Sequence, residues 1–388
     1  MKAANKQILD QLFPKMVKLR HELHMYPELA NEEVMTSSIV SRELKNIGLN
    51  AISISGTGLY AVLDSGKPGK TVALRAELDA LPITEETQVP YVSKNFGNMH
   101  ACGHDGHIVT LLAVAATMVE RKAQFKGKIK FIFQPAEETG TGSLEMINSG
   151  VLENPHVDAI FGFHGTHRYE ENTLATKCGC LMAGNDNFII RLKGQGGYVS
   201  SPYARSNPIY LGALILQNLE NIKNKIVASG EPIIISATQF NVENEHGLIP
   251  KEVTIKGSIR TVKVSTQFQI KQQIIDIVMD IVKPFDIEAL VDFEERLPPL
   301  INSSRETELV LRAARNILEE SHIVPDMDIV MAPEGFAAYL EKIPGSFFFI
   351  GNGLQMGTVH KANYNFNDNI IPVSAEMLIT VVTNYLNT

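Results

Sequence analysis

Apolar positions along this chain follow two rhythms. Residues 7 to 25 and 32 to 47 repeat them at helical spacing and predict two amphipathic helices. β-rich runs follow at TVALRAELD (71–79), KIKFIFQ (128–134) and VDAIFGFH (157–164), each broken off by polar residues, glycine or proline. A long helix is expected from His107 to Lys122. Strands alternating with helices predict a largely parallel sheet of the α/β class. The character changes near Gly184. FIIRLKGQGG (188–197) reads as a strand and a glycine turn, a helix covers about 206–227, and β-rich stretches follow at 232–242 and 252–262. A helix at about 265–283 and a strand to about 293 complete a β-α-β-β-α-β order. That order predicts an inserted α+β unit of ferredoxin-like type. The expected domains are residues 1–184 with 295–388, and residues 185–294, with Pro298 and Pro299 marking the return.

Polar residues of chemical interest collect where the apolar runs end. Arg75, Glu77 and Asp79 follow the first, Glu137 and Glu138 the second, and His164 closes the third. Open α/β sheets bind ligands outside the carboxyl ends of their strands, so distant residues can converge there. Between these strands lies MHACGHDGH (99–107), with three histidines, a cysteine and an aspartate in nine residues. On extended backbone, Cys102 and His104 would point the same way. A thiolate and an imidazole aimed at one point form half of a transition-metal site. Glu137 and Glu138 would point to opposite sides, so one can ligate while the other acts as a general base. His164 and His360 are unremarkable alone. With Cys102, His104 and a carboxylate they supply mixed N, S and O donors for two first-row divalent ions. His100 and His107 are expected to support that site from behind. His21, His24, His156, His167, His246 and His322 read as ordinary surface or packing residues.

Composition narrows the function classes. A net charge of −8 without any block of like charge argues against nucleic acid or anionic membrane as partner. No apolar run is long enough to span a bilayer, and the N-terminal residues lack an apolar signal core. Three cysteines at these spacings do not form a disulfide framework, and Cys178 and Cys180 read as small buried or loop residues. The expected location is the cytoplasm.

Taken in order, these segments resemble the M20 metallopeptidase and amidohydrolase family, in the subfamily of aminoacylases, hippurate hydrolases, N-acetyl-diaminopimelate deacetylases and auxin-conjugate hydrolases. RHELHMYPELANEE (20–33), LRAELDALPITEE (74–86), MHACGHDGH, FQPAEE and VHKANYNFND carry the resemblance, with Glu77 in place of the family's first Asp. The resemblance implies a metallopeptidase-like catalytic domain whose inserted unit is a lid that pairs two subunits. It implies that Cys102 bridges two divalent ions, Zn or Mn, with Co or Ni as alternatives. His104, Glu138, His164 and His360 would complete the ligand set. A hydroxide would attack the amide carbonyl of a small N-acyl amino acid, N-acetyl above all. Glu137 would take its proton and return it to the leaving amine.

Three departures concern substrate handling. GQGGYVSSPY places Tyr198 and Tyr203 where the family has two histidines, the first of which steadies the oxyanion. Gly247 stands where the family has Asn, and Gly335 where it has the Asp of Glu-Asp-Phe. Tyr198 and Gly335 are therefore candidate substrate or oxyanion residues. Two readings follow: an active deacylase with an altered pocket, or a metal-binding relative with weak or lost activity and a binding or regulatory role.

Overall fold

Strand Thr71–Glu77 is buried at every position, as a strand covered on both faces must be. It lies between Lys128–Gln134 and Ala159–Thr166 and runs parallel to both. Gly345–Gly351 extends the parallel array beyond Ala159–Thr166. Short or antiparallel strands close both sides of this eight-stranded sheet: Leu59–Asp64 and Ile52–Ser53 on one, Leu174–Ala175 and Ile323–Val324 on the other. The protein is thus of the α/β class. This computed structural model describes residues 2–200, 206–227, 230–243 and 246–388. The chain divides into two units. One comprises the residues up to Leu181 with Ile301–Asp328 and Gly335–Thr388, the other Met182–Leu300 with Ile329–Glu334.

In the first unit, helices Lys2–Met25, His104–Glu120 and Ile370–Leu386 bury their apolar side chains in one core with the sheet. His104–Glu120 is buried at every residue from His104 to Met118. That helix begins three residues earlier than the periodicity predicts. The reason is Gly103, whose φ of +89° turns the chain directly into the first helical turn. Cys102 and His104 therefore do not share an extended segment. They are brought together by a left-handed turn, a conformation that costs glycine little. Gly106, one turn in, lies so close to the Phe366 ring that a Cβ there would collide with it.

The second unit is a four-stranded antiparallel sheet in the order Ile234–Asn241, Glu252–Thr261, Gly184–Lys193, Glu288–Leu297. Helices Pro208–Val227 and Val264–Val282 share its core, with Phe188, Ile190, Ile255, Ile270 and Ile274 fully buried. Gly184–Lys193 alternates buried and half-buried positions, the signature of a sheet with one packed face. Ile329–Glu334 joins this unit through backbone: the Ala183 N–H donates to Val330 O at 2.9 Å, and Arg260 Nη1 to Met331 O at 2.7 Å. A separate ribbon pairs Gly197–Tyr198 with Leu248–Ile249. Among the described residues, no helix is long and apolar enough to cross a membrane.

One polar network ties the first helix to the helix that opens in the metal motif. Arg20 and His24, one helical turn apart, both reach the Asp105 carboxylate, at 3.1 and 2.9 Å. Arg20 also pairs with Asp368, and His24 Nε2 lies 3.2 Å from Glu85 Oε1. His21 stacks on Tyr91 and meets Asp368 at 2.9 Å. His21 and His24 are therefore not ordinary packing residues, as the pattern alone suggests. Their signal was present in the one-turn spacing of Arg20 and His24, which faces both toward one partner.

Burial disfavours a charge on His24, but the bonds to Asp105 and Glu85 outweigh it and raise its pKa to about 9. The folded value lies above the unfolded one of about 6.5. The stabilisation is fully present below about pH 6.5 and is lost as pH rises through about 9. The stability advantage of the wild type over His24→Gln should shrink across that window. Unfolding midpoints of both proteins between about pH 6 and pH 10 check this.

Candidate metal centre

Three loops deliver donors to one point at the carboxyl ends of the parallel strands, with Cys102 and His104 buried, Glu138 half-buried and His360 exposed. Cys102 Sγ lies 3.2 Å from His164 Nε2 and 3.3 Å from His360 Nε2. Glu138 Oε2 is 3.4 Å from His360 Nε2, and Glu138 Oε1 is 3.9 Å from His104 Nε2. Two of the four donor sets among the described residues share Cys102: Cys102 with His104 and His164, and Cys102 with Glu138 and His360, each with its donor atoms within 4.8 Å of one another. Cys102 belongs to both. His164 lies inside strand Ala159–Thr166, two residues before its end.

Two of the rings, those of His104 and His164, have their tautomers set from behind. His104 Nδ1–H donates to the Asp79 carbonyl at 2.7 Å. His164 Nδ1–H donates to the Gly165 carbonyl at 2.6 Å. A carbonyl oxygen only accepts, so each Nδ1 carries its proton and each Nε2 faces the cluster. His104 Nε2 and Glu138 Oε1 are buried and have no hydrogen-bond partner, as expected of atoms shaped to ligate. His107 is excluded by the same logic. Its Nδ1–H donates to Glu77 at 2.9 Å and its Nε2 accepts the Gly165 N–H at 3.1 Å, so it braces the strand that carries His164. His100 is buried, and burial lowers its pKa to about 4, which leaves it neutral.

Asp79 is the residue that the pattern left without a role. It is fully buried, Oδ2 accepts the Glu138 N–H at 2.9 Å, and Oδ1 lies 3.4 Å from His104 Nδ1. The signal that could have singled it out is its place two residues past a buried strand. Glu33, from the N-terminal segment, accepts the Ala136 N–H at 2.8 Å. Ala136 and His360 both adopt positive φ, +49° and +63°, which a side chain disfavours. Both strained residues sit in loops that present donors.

The electrostatics fit a cationic occupant. Burial and the neighbouring Glu138 carboxylate push the Cys102 thiol well up, and burial raises Glu138. A thiol and a carboxylate buried side by side resist ionising together. Divalent cations invert that balance, and a soft thiolate with imidazoles and a carboxylate is a first-row transition-metal donor set.

The other candidates fall in three places. Glu137 Oε1 accepts the Gly335 N–H at 3.0 Å, and a Glu137 oxygen lies within 4.8 Å of donor atoms of His104 and Glu138. Gly335 thus stands behind Glu137. Tyr198 is in the second unit, paired with Leu248 and 71% exposed, with Gly247 in the turn beside Leu248. Tyr203 lies outside the described residues.

Residues 73–384 match the sequence profile of peptidase family M20/M25/M40. The chain is 36% identical over 344 residues to an N-acetyl-L-cysteine deacetylase of Bacillus subtilis, covering 88% of this chain and 82% of that one. It is 32% identical to a hippurate hydrolase of Campylobacter jejuni over 98% of both chains. Its fold overlays that of a Bacillus subtilis protein described as a dinuclear metal binding peptidase of the M20 family, with a TM-score of 0.87, 28% identity, and 98% and 99% of the two chains covered. With the profile spanning most of its length, the chain belongs to peptidase family M20/M25/M40 and is a hydrolase.

Proposed function

We propose that this protein hydrolyses the amide bond of small N-acyl amino acids, N-acetyl ones above all, releasing a carboxylate and a free amino acid. The observation that carries this reading is the pair of donor sets joined at Cys102, with Glu137 at their margin. Similarity to a deacetylase and to a hippurate hydrolase supports the substrate class.

Cys102, His104 and His164 would hold one divalent ion, and Cys102, Glu138 and His360 the other. Zn or Mn suits this donor set best, with Co and Ni as alternatives. When bound, such ions supply Lewis-acid polarisation of the amide carbonyl and make water a nucleophile at neutral pH. Asp79 fixes His104 and the Glu138 backbone, so both donors keep their aim. The Gly335 N–H orients the Glu137 carboxylate. Glu137 takes the proton of the attacking water and later gives it to the leaving nitrogen, which cannot depart as an anion. In the second unit, Tyr198 stands where the family pattern has its oxyanion histidine and offers a hydroxyl donor in its place. A homodimer formed through that unit is part of the same reading.

Elemental analysis of the purified protein should find about two divalent ions per chain. A metal-free protein that cannot take up ions would end the proposal. Glu137→Gln should lower turnover of N-acetyl amino acids by about 10²–10⁴-fold while the metal content stays unchanged, since it removes only the proton carrier. Retained turnover would exclude Glu137 as the base. Tyr198→Phe should lower kcat by about a hundredfold with little change in KM, as loss of an oxyanion donor does. An unchanged kcat would leave Tyr198 without a catalytic part. The alternative, a metal-binding relative with weak activity, rests on Tyr198 and Gly247, and a large gain of activity in Tyr198→His would favour it.

A further inference from the structure

Glu33 stands at the N-cap of helix Val34–Asn46, yet its side chain forms no capping bond there. The first amides of that helix are served from elsewhere. Glu28 accepts the Met35 and Thr36 N–H groups at 2.9 and 2.8 Å. The Glu33 carboxylate turns inward instead and is fully buried. Oε2 accepts the Thr57 hydroxyl at 2.6 Å, and Oε1 accepts the Ala136 N–H at 2.8 Å, across 103 positions of sequence. Burying a carboxylate is costly unless its oxygens are bonded, and here one oxygen goes to a single backbone amide. That amide belongs to a residue in an unusual conformation. Ala136 has a φ of +49°, which its Cβ disfavours, and it is fully buried, so its N–H is shielded from solvent.

Glu137 and Glu138 follow Ala136 directly. The Ala136 carbonyl accepts the Gly142 N–H at 3.2 Å and the Thr139 hydroxyl at 3.3 Å. Two residues on, the Glu138 N–H donates to Asp79 Oδ2 at 2.9 Å. The amides on either side of Glu137 are thus held by two buried carboxylates from different parts of the chain. A left-handed residue sends the following chain in a direction that helical or extended backbone would not. We propose that Glu33 is a positioning residue, whose carboxylate locks Ala136 in the left-handed turn that aims Glu137 and Glu138. For Glu137 this rests on the hydrolase reading, and for Glu138 on the donor sets alone. A charge-assisted bond to an amide is strong enough to hold a conformation that alanine disfavours. Through it, the N-terminal segment sets the geometry of the proposed base and of one proposed ligand.

The test compares the wild type with Glu33→Ala, with Glu33→Gln, and with Glu33→Ala combined with Ala136→Gly. In one readout, Zn²⁺ is titrated into metal-free protein against a competing chelator. Glu33→Ala should weaken the binding of one of the two ions by about 10–100-fold and that of the other less. In the second readout, hippurate or the N-acetyl amino acid that the wild type turns over fastest is the substrate. There kcat should fall by about 10–100-fold, with KM within about twofold. Glu33→Gln should stay near the wild type in both, since its amide oxygen still accepts the Ala136 N–H and its NH₂ donates to the Thr57 hydroxyl. Adding Ala136→Gly to Glu33→Ala should recover about tenfold, because glycine adopts the left-handed turn unaided. Should Glu33→Ala fail to fold, Glu33→Asp, which draws the oxygens back by one methylene, takes its place with the same expectations. A wild type that binds two ions without turnover sinks the hydrolase reading alone, and the zinc titration then decides this proposal. A merely structural Glu33 would lower the unfolding midpoint of Glu33→Ala without moving ion affinity or kcat, and that result overturns the proposal. So does a loss in Glu33→Ala that Ala136→Gly fails to relieve.

Discussion

The buried Asp79 carboxylate and its backbone carbonyl hold the candidate metal centre together. The carbonyl takes the His104 Nδ1 proton, and the carboxylate takes the Glu138 N–H. These two donors come from different loops, one at the start of a helix and one after a strand. Without a common partner, the two loops would not be tied to one another at this point. A charged acceptor bonding an N–H in a buried site is worth more than a neutral pair, so Asp79 is well suited to the task. Its own position is secured because the strand before it is buried along its whole length.

Around that tie the structure repeats one device: a backbone carbonyl or a carboxylate fixes the far side of three imidazoles. Asp79 does so for His104, Gly165 for His164 and Glu77 for His107. The outcome differs with the partner of the second nitrogen. His107 spends its Nε2 on the Gly165 N–H and is thereby withdrawn from ligation. His104 and His164 turn theirs toward Cys102 and Glu138. Candidate ligand and brace are the same residue type, separated by one hydrogen bond.

Gly335 illustrates how a departure from a family pattern acquires meaning. In the sequence it is one missing carboxylate in MAPEGF, grouped with Tyr198 as a matter of substrate handling. In the fold it backs Glu137 and faces Ser143, Gln134 and Arg75, whereas Tyr198 belongs to a different unit. The two positions have separate physical consequences. One bears on Glu137 and its support, the other on the second unit.

Local pattern was enough to reveal the parallel strands and the β-α-β-β-α-β unit and to single out the residue types of the candidate centre, because periodicity and side-chain chemistry are local properties. The strand-end placement of Asp79, Glu137 and Glu138 was legible for the same reason. Other features depend on partners far along the chain. Cys102 and His104 approach through a left-handed turn at Gly103, not through the extended backbone their spacing implies. His107 became a brace because Glu77 and Gly165 lie on either side of it, and His24 became a buried ion-pair partner because Asp105 and Glu85 reach it. His360 joins Cys102 across 258 positions of sequence, in strained backbone that no local preference selects. Donor type is written along the chain. Which nitrogen faces the centre is set by hydrogen bonds whose other half arrives only when the sheet assembles.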